Sequence, residues 1–131
     1  MRRFTIWLLL LALAGYSADR DLAGRYAGEW KSTSSGNGGA FHMTLEPVAD
    51  GSWKCEASFS LDGAEIKTTT HQIKFQDSKL DVSYDFEIQG AALRSHMTAE
   101  WSGGTFSGRY ETSLIAGDAV DAGTWTATRA K

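Results

Sequence analysis

The chain predicts an all-β fold, an eight-stranded antiparallel up-and-down barrel, and three observations carry that expectation. Beyond residue 18 apolar residues recur at every second position, and no window keeps the i, i+3, i+4, i+7 pattern of an amphipathic helix. Most turns combine Gly with Asn, Asp or Ser, and the 14 glycines stand against a single proline, which is hairpin punctuation. One face of every strand is apolar, and an open sheet of this size would leave that face wet and two edges unpaired. Closure removes both problems. A two-sheet β-sandwich is the alternative; sequential short hairpins favour the meander.

The N-terminus is set apart from this pattern. Met1-Arg2-Arg3 is a short basic segment, and Phe4 to Ala14 is an apolar run too short to span a bilayer comfortably. Residues 1–18 are therefore expected to be a signal peptide, cleaved after Ala14, Ser17 or Ala18, and residues 19–131 a single barrel domain. Leu13-Ala14-Gly15 resembles a lipoprotein cleavage box, but Tyr16 stands where the lipidated cysteine belongs, so no membrane anchor is expected after cleavage. The expected location is secreted or periplasmic. Losing Arg2 and Arg3 leaves 11 basic residues of the original 13 against 16 acidic ones, a net charge of −5. With the charges interspersed and no basic stripe, nucleic acid is not an expected partner. Cys55 is the only cysteine, so no internal disulfide is available and the core must hold the fold; its place in an apolar row marks it as a small buried hydrophobe.

The strands follow in order. Arg25 to Ser32 places Tyr26, Gly28 and Trp30 on one face, and a Ser/Gly-rich loop, Thr33 to Gly39, follows. Ala40 to Glu46 turns Phe41, Met43 and Leu45 inward, Pro47 ends it, and Ala49-Asp50-Gly51 makes the turn. Ser52 to Leu61 has the longest alternation, with Trp53, Cys55, Ala57, Phe59 and Leu61 on one side. After the hairpin signal Asp62-Gly63, the segment 64–76 changes phase, because Ile66 is even whereas Ile73 and Phe75 are odd. A one-residue shift flips every side chain, so a bulge or bend is expected near Thr68–His71. The strand of Leu80, Val82, Tyr84 and Phe86 comes after a turn at residues 76–79. Past Gln89-Gly90, the next strand points Leu93, Ser95, Met97, Ala99 and Trp101 inward. Gly103-Gly104 leads to Phe106, Gly108 and Tyr110. Leu114 to Val120 reads as a loop, and Asp121 to Arg129 carries Gly123, Trp125 and Ala127 on one face. Closure would pair the first strand with the last and bring Trp30 and Trp125 together.

Gly28-Glu29-Trp30, Trp101-Ser102-Gly103 and Gly123-Thr124-Trp125 give the chain a format that resembles lipocalin- and avidin-type barrels. The likeness is closest to small secreted bacterial β-barrel modules of uncharacterised type, and covers residues 22–129 in spacing and format. It implies a closed barrel with a ligand cup. The polar set with which avidin grips the ureido ring of biotin has no counterpart here, so no biotin site is carried over.

No nucleophile elbow, metalloprotease helix, phosphate loop, Cys-x-x-Cys pair or dinucleotide fingerprint is present. An enzyme is not expected, nor a cofactor. His42, His71 and His96 fall on different strands, so no metal site is expected from them. Asp81, Asp85 and Glu87 form an acidic outer row that reads as a solubilising face, without the oxygen cage of a calcium loop. The threonines at 68–70 and at 124, 126 and 128 suit strands by β-branching alone. What reaches towards function is the aromatic interior. Its rings bury roughly 150–250 Å² each, and eight-stranded barrels lie between solid packing and one small-ligand cavity. The expected function is an exported binding barrel for a small apolar or amphipathic ligand, lined by Tyr26, Trp30, Trp53, Tyr84, Trp101, Tyr110 and Trp125. The alternative is a filled barrel that contacts an envelope protein partner through the loops Ser32–Gly39 and Leu114–Val120, as an inhibitor-like module. A connected apolar pocket of roughly 300 Å³ with a mouth would mark the cup.

Overall fold

A computed structural model describes residues 22–49 and 52–130; the expected signal peptide and the Asp50-Gly51 step lie outside these residues. The strands are β1 (Gly24–Ser32), β2 (Gly38–Pro47), β3 (Trp53–Leu61), β4 (Ala64–Lys67), β5 (Thr69–Gln76), β6 (Lys79–Ile88), β7 (Ala91–Ser102), β8 (Thr105–Leu114) and β9 (Ala119–Arg129). They form one antiparallel sheet in the order β4-β3-β2-β1-β9-β8-β7-β6-β5. It is an up-and-down meander whose first and last strands pair, and the sheet curls around its apolar face. Among the described residues no helix is long and apolar enough to cross a membrane.

Four hairpin turns explain the short connections. Asp62-Gly63, Asp77-Ser78, Gln89-Gly90 and Gly103-Gly104 each place two successive residues at positive φ. That backbone matches the right-handed twist of the flanking strands, and Gly, Asp and polar residues reach it with least strain. The register then follows. Trp30 lies directly opposite Trp125 in the β1–β9 ladder, and Trp101 opposite Phe106 in β7–β8. The last strand begins at Ala119 rather than Asp121.

The expected eight strands become nine because the segment 64–76 changes partner halfway. Its first part, β4, pairs with β3 from Leu61↔Ala64 to Ser58↔Lys67. Its second part, β5, pairs with β6 from Thr69↔Asp85 to Gln76↔Lys79, with a register shift between Thr70 and Gln72. The bend anticipated from the phase change is here. The expected continuous ring of ladder pairs is corrected accordingly: β4 and β5 are the two margins of the curled sheet. Past the β3–β4 ladder the chain meets β3 only at points: Thr68, between β4 and β5, donates from N and Oγ1 to Ala57 O at 3.3 and 2.7 Å. Thr70 Oγ1 donates to Cys55 O at 2.5 Å. These hydroxyls satisfy strand carbonyls that would otherwise face a gap in the ladder.

The inward face is unevenly filled. Towards the end that carries Arg129, Leu22, Tyr26, Met43, Leu45, Leu80, Val82, Phe106 and Ala127 are almost wholly buried. The Tyr26 and Phe106 rings meet at 4.9 Å between centroids. Cys55 is buried among them, and loss of solvation pushes its thiol up to about 12, so it is an inert thiol at neutral pH. A folded-state pKa raised above the unfolded value leaves stability intact below that value and removes it as the pH climbs. Cys55 is therefore expected to cost the fold about 1.4 kcal/mol per pH unit above pH 9. Urea titrations between pH 8 and 11 on the wild type and Cys55→Val should show a shallower alkaline decline in the variant.

Candidate functional site

At the opposite end the strands diverge around an apolar cavity of about 190 Å³. The rings of Trp30 (β1), Phe41 (β2), Phe59 (β3), Tyr84 and Phe86 (β6), Tyr110 (β8) and Trp125 (β9) supply most of its wall, with Leu61, Ile88, Leu93 and Met97 between them. The rings pack edge to face, Phe59 on Phe86 at 5.0 Å and Trp30 on Phe59 at 6.0 Å. The first of these contacts crosses the seam between β3 and β6 where no ladder runs. Trp30 Nε1 donates to Ser60 O at 3.0 Å, which fixes one wall; Trp125 Nε1 donates to Arg109 O at 3.2 Å, which fixes another.

Of the seven side chains expected to line a cup, the structure brings Trp30, Tyr84, Tyr110 and Trp125 together around this cavity. Tyr26, Trp53 and Trp101 are elsewhere. Tyr26 is sealed in the packed half, its hydroxyl donating to Leu22 O at 2.8 Å and accepting from Arg129 Nη2 at 3.2 Å. The Arg129 guanidinium lies 5.7 Å from the Tyr26 ring and 6.0 Å from the Trp101 ring. Trp53 opens β3 at that same end. These three help to close the packed half.

The polar groups in the lining arise from strand parity. Ser95 and Thr112 lie directly opposite in the β7–β8 ladder, and their buried hydroxyls are 2.5 Å apart. Near the mouth, Asp121 sits two residues before Gly123 and therefore on the same inward face of β9. Its Oδ1 accepts from Ser32 Oγ at 2.6 Å and from Ser34 Oγ at 3.0 Å. Its Oδ2 accepts from Tyr110 Oη at 2.8 Å. Gly123 makes this possible. A Cβ there would stand 2.8 Å from Tyr110 Cε1 and 1.9 Å from Lys31 O, so only glycine lets the Tyr110 ring lie along β9 towards Asp121. Burial, followed by the bond to Asp121, raises the Tyr110 phenol, and burial raises that of Tyr84. Both remain protonated donors at neutral pH.

Asp121 is the feature the sequence reading passes over. Its signal is parity with Gly123, Trp125 and Ala127, as Ser32 has parity with Trp30. The lining holds one carboxylate, two phenols and two small hydroxyls, and neither histidine, lysine nor arginine. The arrangement therefore offers burial, ring contacts and a few fixed hydrogen-bonding groups. Two members of the outer acidic row, Asp81 and Asp85, are engaged across the β6–β7 ladder. Arg94 Nε and Nη2 donate to the two oxygens of Asp85 at 2.6 and 3.0 Å, and His96 Nε2 lies 2.7 Å from Asp81 Oδ1. Arg94 beside Asp85 holds that carboxyl below its usual range. No protein-family model, curated protein or solved structure matches the chain.

Proposed function

We propose that the protein is an exported binding barrel that takes one small apolar or amphipathic molecule into its half-open interior. The cavity of about 190 Å³ walled by seven aromatic rings is the observation that carries this reading. It falls short of the roughly 300 Å³ expected above for a cup that takes a drug-sized ligand, yet it is larger than an apolar cavity of about 150 Å³ that accepts benzene. The ligand is thus about one substituted ring in size. The sheet works as a closed barrel in this reading, with residues 64–76 shared between β3 and β6 and the threonine bonds at Thr68 and Thr70 joining its margins. Export is supported by the basic and apolar N-terminal segments, and N-terminal sequencing of the protein recovered outside the cytoplasm tests it.

Titration with toluene and benzyl alcohol, followed by tryptophan fluorescence and by the indole N–H signals of Trp30 and Trp125, tests the cup. Saturable binding with Kd between about 10 μM and 1 mM is expected for so few atoms. A series of one-ring compounds that perturbs neither indole would overturn the reading.

The second reading, a rim that contacts an envelope protein, is supported by two exposed aliphatic side chains beside the mouth, Ile115 and Val120. Such residues mark contact surfaces when they cluster. Replacing Ile115, which does not line the cavity, with serine should then weaken co-purification with a partner while leaving benzyl alcohol binding unchanged.

A further inference from the structure

We infer that the cup selects small organic cations, an ammonium group held at Asp121 with its apolar body in the aromatic cavity. This inference rests on the binding-barrel reading and adds the ligand's charge to it. Four observations converge on it.

Asp121 lines the cavity, so a ligand that fills the apolar space brings its outer end to the carboxylate. The hydrogen bonds to Asp121 come from neutral donors, Ser32, Ser34 and Tyr110. They orient both oxygens without compensating their charge. Among the described residues the ion pairs are Lys54–Glu56, Arg94–Asp85 and His96–Asp81; Asp121 has no cation. Exposed carboxylates such as Glu87 and Glu111 are also outside these pairs, but water surrounds them; Asp121 differs in lining an apolar cavity.

The site is also preorganised. Ser32 is 2% exposed, and its hydroxyl is fixed between Asp121 and Ser34, 3.1 Å away. A carboxylate held in this way needs little reordering to receive a ligand. Finally, Tyr110, whose hydroxyl bonds Asp121, stands edge to face with Trp30 at 6.2 Å in the cavity wall. Aromatic faces attract a cation that has shed part of its water, and they give nothing comparable to an anion. The size of the cavity limits the body to about one ring with a short linker.

The test compares three probes of nearly equal shape: phenethylamine, 2-phenylethanol and phenylacetate. Calorimetry at pH 7 and low salt should show the amine binding at least about tenfold tighter than the alcohol, as charge-assisted bonds and cation–π contacts add to burial. Phenylacetate should be the weakest. Asp121→Asn keeps the shape, and should bring the amine to within about twofold of the alcohol. Equal affinity of amine and alcohol for the wild type would overturn the charge selection and leave the cup standing; no binding of any probe would overturn both. A preference that survives in Asp121→Asn would also overturn it. Should that variant not fold, NMR of the wild-type complex decides. Contacts from the methylene beside nitrogen to Asp121 and Tyr110 are expected, and contacts confined to Ser95 and Thr112 would place the ammonium elsewhere and sink the inference.

Discussion

Gly28→Ala is expected to lower the melting temperature by about 10 °C or more, a loss of roughly 3 kcal/mol for a domain of this size. The reason is the closeness of β1 and β9. A Cβ on residue 28 would lie 1.8 Å from Thr126 O, 2.6 Å from Thr126 C and 2.7 Å from Ala127 Cα. All three are backbone atoms of the paired strand, so no side-chain rotation relieves the overlap. The ladder that joins the first strand to the last must open locally, and that ladder sets Trp30 opposite Trp125. Gly108→Ala meets the same obstacle in β7, with Thr98 O at 1.8 Å and Ala99 Cα at 2.6 Å. A useful contrast is Gly36→Ala, where a Cβ meets nothing within 4 Å and only the positive φ of 77° opposes it. That change should cost about 1–2 kcal/mol. Thermal unfolding of the three variants decides the matter. If Gly28→Ala melts within a few degrees of wild type, close strand approach is not what fixes these glycines.

The inward placement of Gly28 and Gly108 was legible in the sequence, as were the hairpin turns, because alternation and turn chemistry are local. A strand's side chains change face every residue, so parity alone assigns Phe41, Tyr84 and Trp125 to the interior. Parity does not give height along the curled sheet, which depends on how far each strand is staggered against its neighbours. Tyr26, Trp53 and Trp101 therefore share a face with Trp30 and Tyr110 and yet lie at the other end. The partner exchange at Thr68 was visible only as a change of phase. Which strand receives each half depends on contacts across the seam, and those are tertiary. Asp121 was hidden for a different reason. A carboxylate at the start of a strand reads as turn chemistry, and its inward direction matters only once Gly123 has let Tyr110 reach it.

Trp125 joins the two halves of the interior, so Trp125→Ala should have the other large effect. Its side chain is 1% exposed. It meets Phe41 at 5.2 Å and stacks near Phe106 at 6.1 Å, so it touches the packed half on one side and walls the cavity on the other. Truncation removes the largest buried ring and a hydrogen bond to Arg109 O, at a cost of roughly 3–5 kcal/mol. That is a large share of the about 5–15 kcal/mol that holds an ordinary domain together. The vacated space adjoins an existing cavity, so the surroundings gain little by collapsing and the interior deepens towards Phe106. The variant should then be rescued by a ligand too large for the wild type. Urea unfolding with and without a saturating two-ring aromatic such as naphthalene measures this. The midpoint of Trp125→Ala is expected to rise with naphthalene, while that of the wild type stays fixed. An equal response in both proteins would mean that Trp125 does not set the depth of the cup. Trp125→Phe keeps a ring in the wall and should lose less stability than Trp125→Ala, because the residual cavity is smaller.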